Sequence, residues 1–182
     1  MTNWKALRDS VKHDRKPCVS IGAEIPVELK TGETVVMVCE WEEQSRAVFF
    51  TKDLLQDTHV MDDGETTGWD NHPSTMSEYL EELFHLLPED LQEVIGDSKL
   101  RLLREREVFG RNSYGRPENC EQFPRYQDQG NRVKRLNGIP FPYWLTNRKA
   151  RDNDYFCYVG SDGEPSYYYG YYSYGVCFGF EI

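Results

Sequence analysis

A chain of 182 residues is long enough to bury one good core with room for a small subdomain. Hydrophobic content is 38% and mean hydropathy is −0.72, yet 14% of the residues are aromatic, and the large area each ring buries argues against disorder. The net charge is −10, no apolar run approaches a membrane span, and the opening Met1-Thr2-Asn3-Trp4-Lys5 lacks a signal-peptide core, so a soluble chain with no membrane partner is expected.

Asn3 or Thr2 can cap a short helix through Trp4, Leu7 and Val11, which fall on one face at helical spacing. It runs out in the basic cluster His13–Lys16 before Pro17. A β-meander follows: Ile25, Val27 and Leu29 alternate, Lys30–Glu33 turns, Val35–Glu40 returns, and Ala47–Thr51 comes after a turn region at Trp41–Arg46. Asp53–Asp70 reads as an acidic loop. Asp62, Asp63 and Glu65 invite a calcium reading, but the loop lacks the oxygen at every second position and the closing glutamate of an EF-hand. No metal and no cofactor are expected, and the loop reads as solvated or partner-facing.

Pro73 then opens a helix with Ser74 or Ser77 as cap and Met76, Tyr79, Leu80, Leu83, Phe84 and Leu87 as its apolar stripe. Its outer face carries Glu78, Glu81 and Glu82. Pro88 starts a second short helix that buries Leu91, Val94 and Ile95 and stops at Gly96. Lys99–Phe109 reads as a strand, with a helix as the alternative, and Gly110–Gly138 reads as loop. Ile139–Leu145 leads into a terminal sheet made of Tyr155–Val159, a turn at Ser161–Gly163, the return Pro165–Tyr169 and a closing strand Gly175–Ile182. The expected class is α+β in one domain, 1–182. It comprises an N-terminal helical arm (1–20), a β-meander with the acidic loop (21–70), a helical hairpin (71–98) and a loop-rich C-terminal sheet (99–182), mixed or antiparallel and closed by an aromatic hairpin.

The charge is unevenly placed. Residues 41–98 carry two basic and fifteen acidic side chains, and residues 99–151 carry thirteen basic and five acidic. Blocks of opposite sign bias a small protein toward charged partners, unless the blocks face each other and cancel. The acidic candidates for partner binding are Asp62, Asp63, Glu65, Asp70, Glu78, Glu81 and Glu82, a set that could imitate a phosphate backbone. Arg111, Arg116, Arg125, Arg132, Lys134, Arg135, Arg148 and Lys149 are interleaved with aromatics and Gly, which suits contact with nucleic acid, including double-stranded DNA. Tyr167, Tyr169, Tyr171, Tyr172 and Tyr174 form an aromatic contact surface, or else a sheet face packed on the helix of residues 74–87.

Five cysteines, odd in number and without a C-x-x-C, fit a reducing cytosol. Cys157 and Cys177 either face each other across the terminal sheet or simply pack. None of the four histidines sits in a catalytic constellation, and no nucleophile elbow or phosphate loop is present, so the chain is not expected to be an enzyme.

Several motifs align with a known pattern. These are Trp69, Ser74, Met76 and Tyr79-Leu80, then Val108-Phe109-Gly110, Tyr143-Trp144-Leu145, Gly160-Ser161-Asp162-Gly163 and Tyr174-Gly175-Val176. Together they resemble an uncharacterised domain family of phages, mobile elements and gut Firmicutes, whose ending is similar to C-type-lectin-like, formylglycine-generating-enzyme-like domains. Thr146 and Cys177 stand where that family has arginines, and Phe178 stands where it has proline, so no role is carried over to those positions. In size, acidity, N-terminus and ending the whole chain resembles the type II-A anti-CRISPR proteins. That resemblance implies a cytoplasmic inhibitor, acting in the bacterial host, which binds Cas9 or the Cas9–guide RNA complex. Cas9 holds nucleic acid in positively charged channels, where an acidic surface can compete. The alternative implied is a lectin-like module for ligand or host recognition.

Overall fold

The computed structural model describes residues 3–13, 19–43, 45–62 and 75–182. The fold is α+β. In chain order the elements are α1 (Trp4–His13), β1 (Glu24–Glu28), β2 (Thr34–Glu43), β3 (Arg46–Thr51), β4 (Thr58–Val60), α2 (Thr75–Leu86), α3 (Glu89–Ile95), β5 (Arg101–Leu102) and α4 (Glu105–Phe109). Two 3₁₀ turns follow, then β6 (Arg135–Leu136), β7 (Ile139–Pro140), β8 (Tyr143–Arg148), β9 (Tyr155–Val159), β10 (Pro165–Tyr169), β11 (Ser173–Gly175) and β12 (Phe178–Glu181). The chain gathers into two compact units: Met1–Lys52, Leu80–Arg101 and Phe178–Ile182 form the first, and Asp53–Tyr79 and Leu102–Cys177 the second.

In the first unit the Asn3 side chain caps α1, its Oδ1 accepting from the Ala6 N–H at 2.9 Å. The expected meander is present as β1–β2–β3, all antiparallel, with a bulge in β2 between Cys39 and Trp41. β12 pairs antiparallel with β3, and the sheet order is β1-β2-β3-β12-β5. Alternation along β3 and β12 brings Phe49 opposite Phe180, where the rings stack at 5.7 Å. Trp4 of α1 meets both edge-on, at 5.5 and 5.6 Å, the geometry that ring quadrupoles favour. The turn after β1 is tied to α2, with the Lys30 N–H donating to the Leu86 carbonyl at 2.8 Å.

The second unit is built on the order β10-β9-β8-β11-β4. β8, β9 and β10 are antiparallel neighbours, while β11 runs parallel to β8 and antiparallel to β4. The turn from β9 to β10 is the one expected: Gly163 sits at φ +81°, and its N–H donates to the Gly160 carbonyl at 2.9 Å. Cys157 and Cys177 are buried free thiols, as is Cys39 of the first unit. Burial pushes the Cys157 thiol well up, so it stays protonated and packs as a small hydrophobe.

Two expected strands come out differently. Lys99–Phe109 holds only the two-residue β5 before turning helical as α4. Side chains outweigh β-propensity there: Glu107 folds back to accept the Arg104 N–H at 2.9 Å, and Asn147 accepts the Glu105 N–H at 2.7 Å. Gly175–Ile182 is not one closing strand. Its first residue ends β11 in one sheet, and Phe178–Glu181 forms β12 in the other.

β12 also contains the tightest backbone approach in the first unit. A Cβ at Gly179 would lie 2.4 Å from both the Phe49 carbonyl oxygen and the Phe50 ring. Strand pairing holds that carbonyl, so Gly179→Ala is expected to lower stability by about 1–3 kcal/mol, read as a lower denaturation midpoint at unchanged slope.

Candidate functional site

One set of aromatic residues in the second unit packs around Trp144. This side chain, the second of β8, is fully buried, and its Nε1 donates to the His59 carbonyl at 2.9 Å. A buried indole needs that partner, and the bond ties β8 to β4. Trp144 and Tyr158 are register partners on neighbouring strands and therefore share a face, with rings 6.0 Å apart and nearly perpendicular. Tyr174 comes in from β11 at 4.6 Å from Trp144 and 4.8 Å from Tyr158. Phe156 closes the set at 6.4 Å, and its strand partner Tyr168 continues the same face on β10.

The other face of β9 and β10 has its own ring cluster. Tyr155 and Tyr169 are register partners with centroids 4.2 Å apart. Tyr167 lies 4.9 Å from Tyr114, and the Lys149 ammonium sits 4.1 Å over the Tyr167 ring and 5.0 Å over Tyr155. The loop between β10 and β11 joins the two clusters. Tyr171 stacks on Tyr169 at 5.2 Å and approaches Tyr172 at 5.1 Å, while Tyr172 meets Tyr168 edge-on at 4.4 Å. The loop is clamped at Gly170, whose N–H donates to the Asp154 carbonyl and whose carbonyl accepts from the Met61 and Asp62 N–H groups.

The outcome is a set of exposed rings held in place by one another. Tyr171 is 52% exposed, Tyr172 43% and Tyr168 36%. Of the predicted aromatic surface, Tyr171 and Tyr172 are outermost, Tyr167 and Tyr169 are half-buried in the second cluster, and Tyr174 is half-buried against Trp144. Tyr168 was not among the predicted residues; strand alternation puts it on the opposite face from Tyr167 and Tyr169, where only tertiary pairing with Tyr172 makes it part of the surface. From α2, Tyr79 stacks at 4.2 Å on His59, the strand partner of Tyr174.

Ring pairing also affects the hydroxyls. The Tyr155 hydroxyl is pushed up to about 12, first by its hydrogen bond with Tyr169. Tyr174 is pushed up to about 12 by burial and then by Tyr158. The hydrogen bond with Tyr172 raises Tyr168. All remain neutral phenols at physiological pH.

The charged candidates distribute differently from the expectation. Asp63, Glu65 and Asp70 lie outside the described residues. Asp62 is buried, which removes it from any contact surface. Glu78, Glu81 and Glu82 are exposed on α2, and Glu81 pairs with Lys99 at 3.0 Å on the surface, a pair of the kind that contributes little.

The basic candidates serve their own unit. Lys134 is buried with its ammonium 5.9 Å from the centres of both the Tyr126 and Tyr143 rings, so it is a core cation and not a phosphate contact. The Arg132 Nε donates to the Tyr126 carbonyl at 2.7 Å, and its guanidinium lies over Phe109. Arg125 bonds Asn131, Arg135 the Gly138 carbonyl, Arg116 Asn153 and Arg111 Ser113, while Arg148 covers Phe156. Among the described residues, arginines of this loop bond carbonyls, amides and ring faces within the loop and its neighbours.

No family model, curated protein or solved structure matches the chain.

The raised tyrosines give a directional pH prediction. A phenol whose folded pKa lies above its unfolded value, about 10, stabilises the fold fully below pH 10. That contribution is lost as pH rises through the folded value near 12 for Tyr155 and Tyr174. Absorbance at 295 nm should show tyrosinate forming late relative to the unfolded chain, and stability should fall from about pH 10 to 12.

Proposed function

We propose that this protein is a non-enzymatic binding protein, encoded by a phage or mobile element, that inhibits a Cas9-type nuclease by docking on it through the tyrosine surface. The observation that supports this reading best is the exposed set Tyr168, Tyr171 and Tyr172, anchored from behind by rings. Tyrosine brings large contact area at small entropic cost, and a ring already fixed by its neighbours loses little more on binding. Residues 152–182, which supply most of these rings, carry five carboxylates and no Lys or Arg, which suits a basic partner surface. Glu78, Glu81 and Glu82 add exposed negative charge. A protein partner is favoured over DNA because, of the eight basic candidates, Lys134 is buried and Arg125, Arg132, Arg148 and Lys149 are half-buried in contacts of their own unit, while Arg111, Arg116 and Arg135 are exposed.

Capture of Cas9 on the immobilised protein, with and without guide RNA, checks the reading. The wild-type chain should retain the nuclease in at least one of these states. Tyr171→Ala with Tyr172→Ala should weaken capture by at least about tenfold, and charge reversal at Glu78, Glu81 and Glu82 should weaken it less and in a salt-dependent way. Failure of the wild-type chain to capture Cas9 in either state contradicts the partner. Undiminished capture by the double tyrosine variant contradicts the surface.

A further inference from the structure

β10 is an outer strand of its sheet: it pairs with β9 on one side, and among the described residues no strand pairs its other side. Hydrogen bonding in an antiparallel pair alternates, so every second residue turns its N–H and C=O away from the neighbour. The parity is fixed at both ends of β10. The Gly160 N–H donates to the Glu164 carbonyl at 2.8 Å, and the Gly170 N–H donates to the Asp154 carbonyl at 3.0 Å. Ser166 and Tyr168 therefore bond towards β9, whereas Pro165, Tyr167 and Tyr169 turn their backbone groups outward.

That outer row is complementary to itself. Pro165 has no N–H, and the Tyr169 carbonyl is already taken by the Tyr172 N–H at 3.1 Å. Among the described residues, the Pro165 carbonyl, both polar groups of Tyr167 and the Tyr169 N–H are left open. A second copy laid antiparallel about a two-fold axis at Tyr167 uses all of them. Tyr167 exchanges both bonds with its equivalent, and each Tyr169 N–H donates to the Pro165 carbonyl of the other copy. The donor and acceptor this register would strand are the ones the chain lacks or has already used.

Charge allows the same contact. The chain carries −10 overall, yet residues 165–180 hold no charged side chain. Lys149, which lies over the Tyr167 ring, is balanced by Asp152 at 3.8 Å. β1, an outer strand of the other sheet, is guarded against such pairing. Its bonds to β2 fall at Ala23 and Leu29, so Glu24, Pro26 and Glu28 turn their backbone groups outward. A self-pair about Pro26 would set carbonyl against carbonyl and Glu24 against Glu28. β10 has proline only at its first position, where the register needs no donor.

We infer that β10 is a self-association edge, at which two copies of this chain pair β10 to β10 and continue one sheet across the seam. The register sets Ser166 opposite Tyr168 of the other copy, so the exposed Tyr168 rings of both copies share one face. The pairing stands on the strand alone; that it enlarges a nuclease-binding surface rests on the reading above.

The test follows the full chain from micromolar to near-millimolar concentration, by sedimentation mass and by amide hydrogen exchange of the ¹⁵N-labelled protein. The mass should rise towards twice 21.4 kDa. Over the same range the Tyr167 and Tyr169 amides should gain at least about tenfold protection, while Ser166 and Tyr168, bonded to β9, stay unchanged. Ser166→Lys puts a cation at the seam of each copy and should weaken association about tenfold with the fold retained. Tyr167→Pro removes the central donor at a position where an edge strand tolerates proline, and should abolish association.

A monomer at every concentration overturns the inference. So does a dimer whose Tyr167 and Tyr169 amides stay unprotected, or one that both variants form as readily as the wild type. Protection of those amides only when Cas9 is added to a monomeric chain gives the edge to a strand of another protein and overturns it as well. Self-association without Cas9 capture would contradict the partner and leave the seam standing. Cas9 capture by a chain that never self-associates would do the reverse.

Discussion

The second unit depends on how a single indole is housed. Trp144 is the largest fully buried side chain among the described residues, and its N–H must find an acceptor or lose the solvation it had in water. The His59 carbonyl supplies that acceptor, which fixes β4 relative to β8. With the indole placed, Tyr158 and Tyr174 have a surface to pack on, and Phe156 fills its edge. Tyr168 and Tyr172 then build outward from this layer. The exposed rings are thus the outer layer of a buried stack and have few alternative positions. This separates them from scattered surface aromatics, which are common and need no explanation.

The arginine-rich segment shows a different solution to a common problem. Gly110–Gly138 has little regular structure, so its backbone carbonyls need partners from elsewhere. Arginine side chains provide them: Arg106 bonds the Cys120 carbonyl, Arg132 the Tyr126 carbonyl and Arg135 the Gly138 carbonyl. Inside, the buried Glu105 carboxylate accepts the Tyr114 and Gly115 N–H groups at 3.0 and 2.8 Å. Charge is used here as a set of long donors and acceptors that order a loop. A segment that reads as an electrostatic footprint is, in the fold, partly internal scaffolding, with Arg111, Arg116 and Arg135 exposed.

Most regular elements were legible because they obey one period each. The β1–β3 meander alternates at period two, α2 and α3 show a helical apolar stripe, and Asp162-Gly163 marks the β9–β10 turn. What local pattern could not carry was decided by distant partners. α4 exists because Asn147, forty-two residues away, caps it together with Glu107. Division of the ending into β11 and β12 depends on β4 and β8 for the first strand and on β3 for the second. Burial of Asp62 and Lys134 had no local signal, since a charged side chain reads as exposed unless a distant partner takes it in. The tyrosine surface was visible as composition. Its outermost members, and the inclusion of Tyr168, depended on pairing across the sheet.

The central claim is that the pre-ordered tyrosine loop is where a partner lands. The most direct measurement is hydrogen–deuterium exchange of the chain alone and in the presence of Cas9, followed across every peptide. The account predicts added protection over the segment containing Tyr168 to Tyr172, with the β1–β3 meander unchanged. Protection confined to other segments, or none at saturating nuclease, would contradict it.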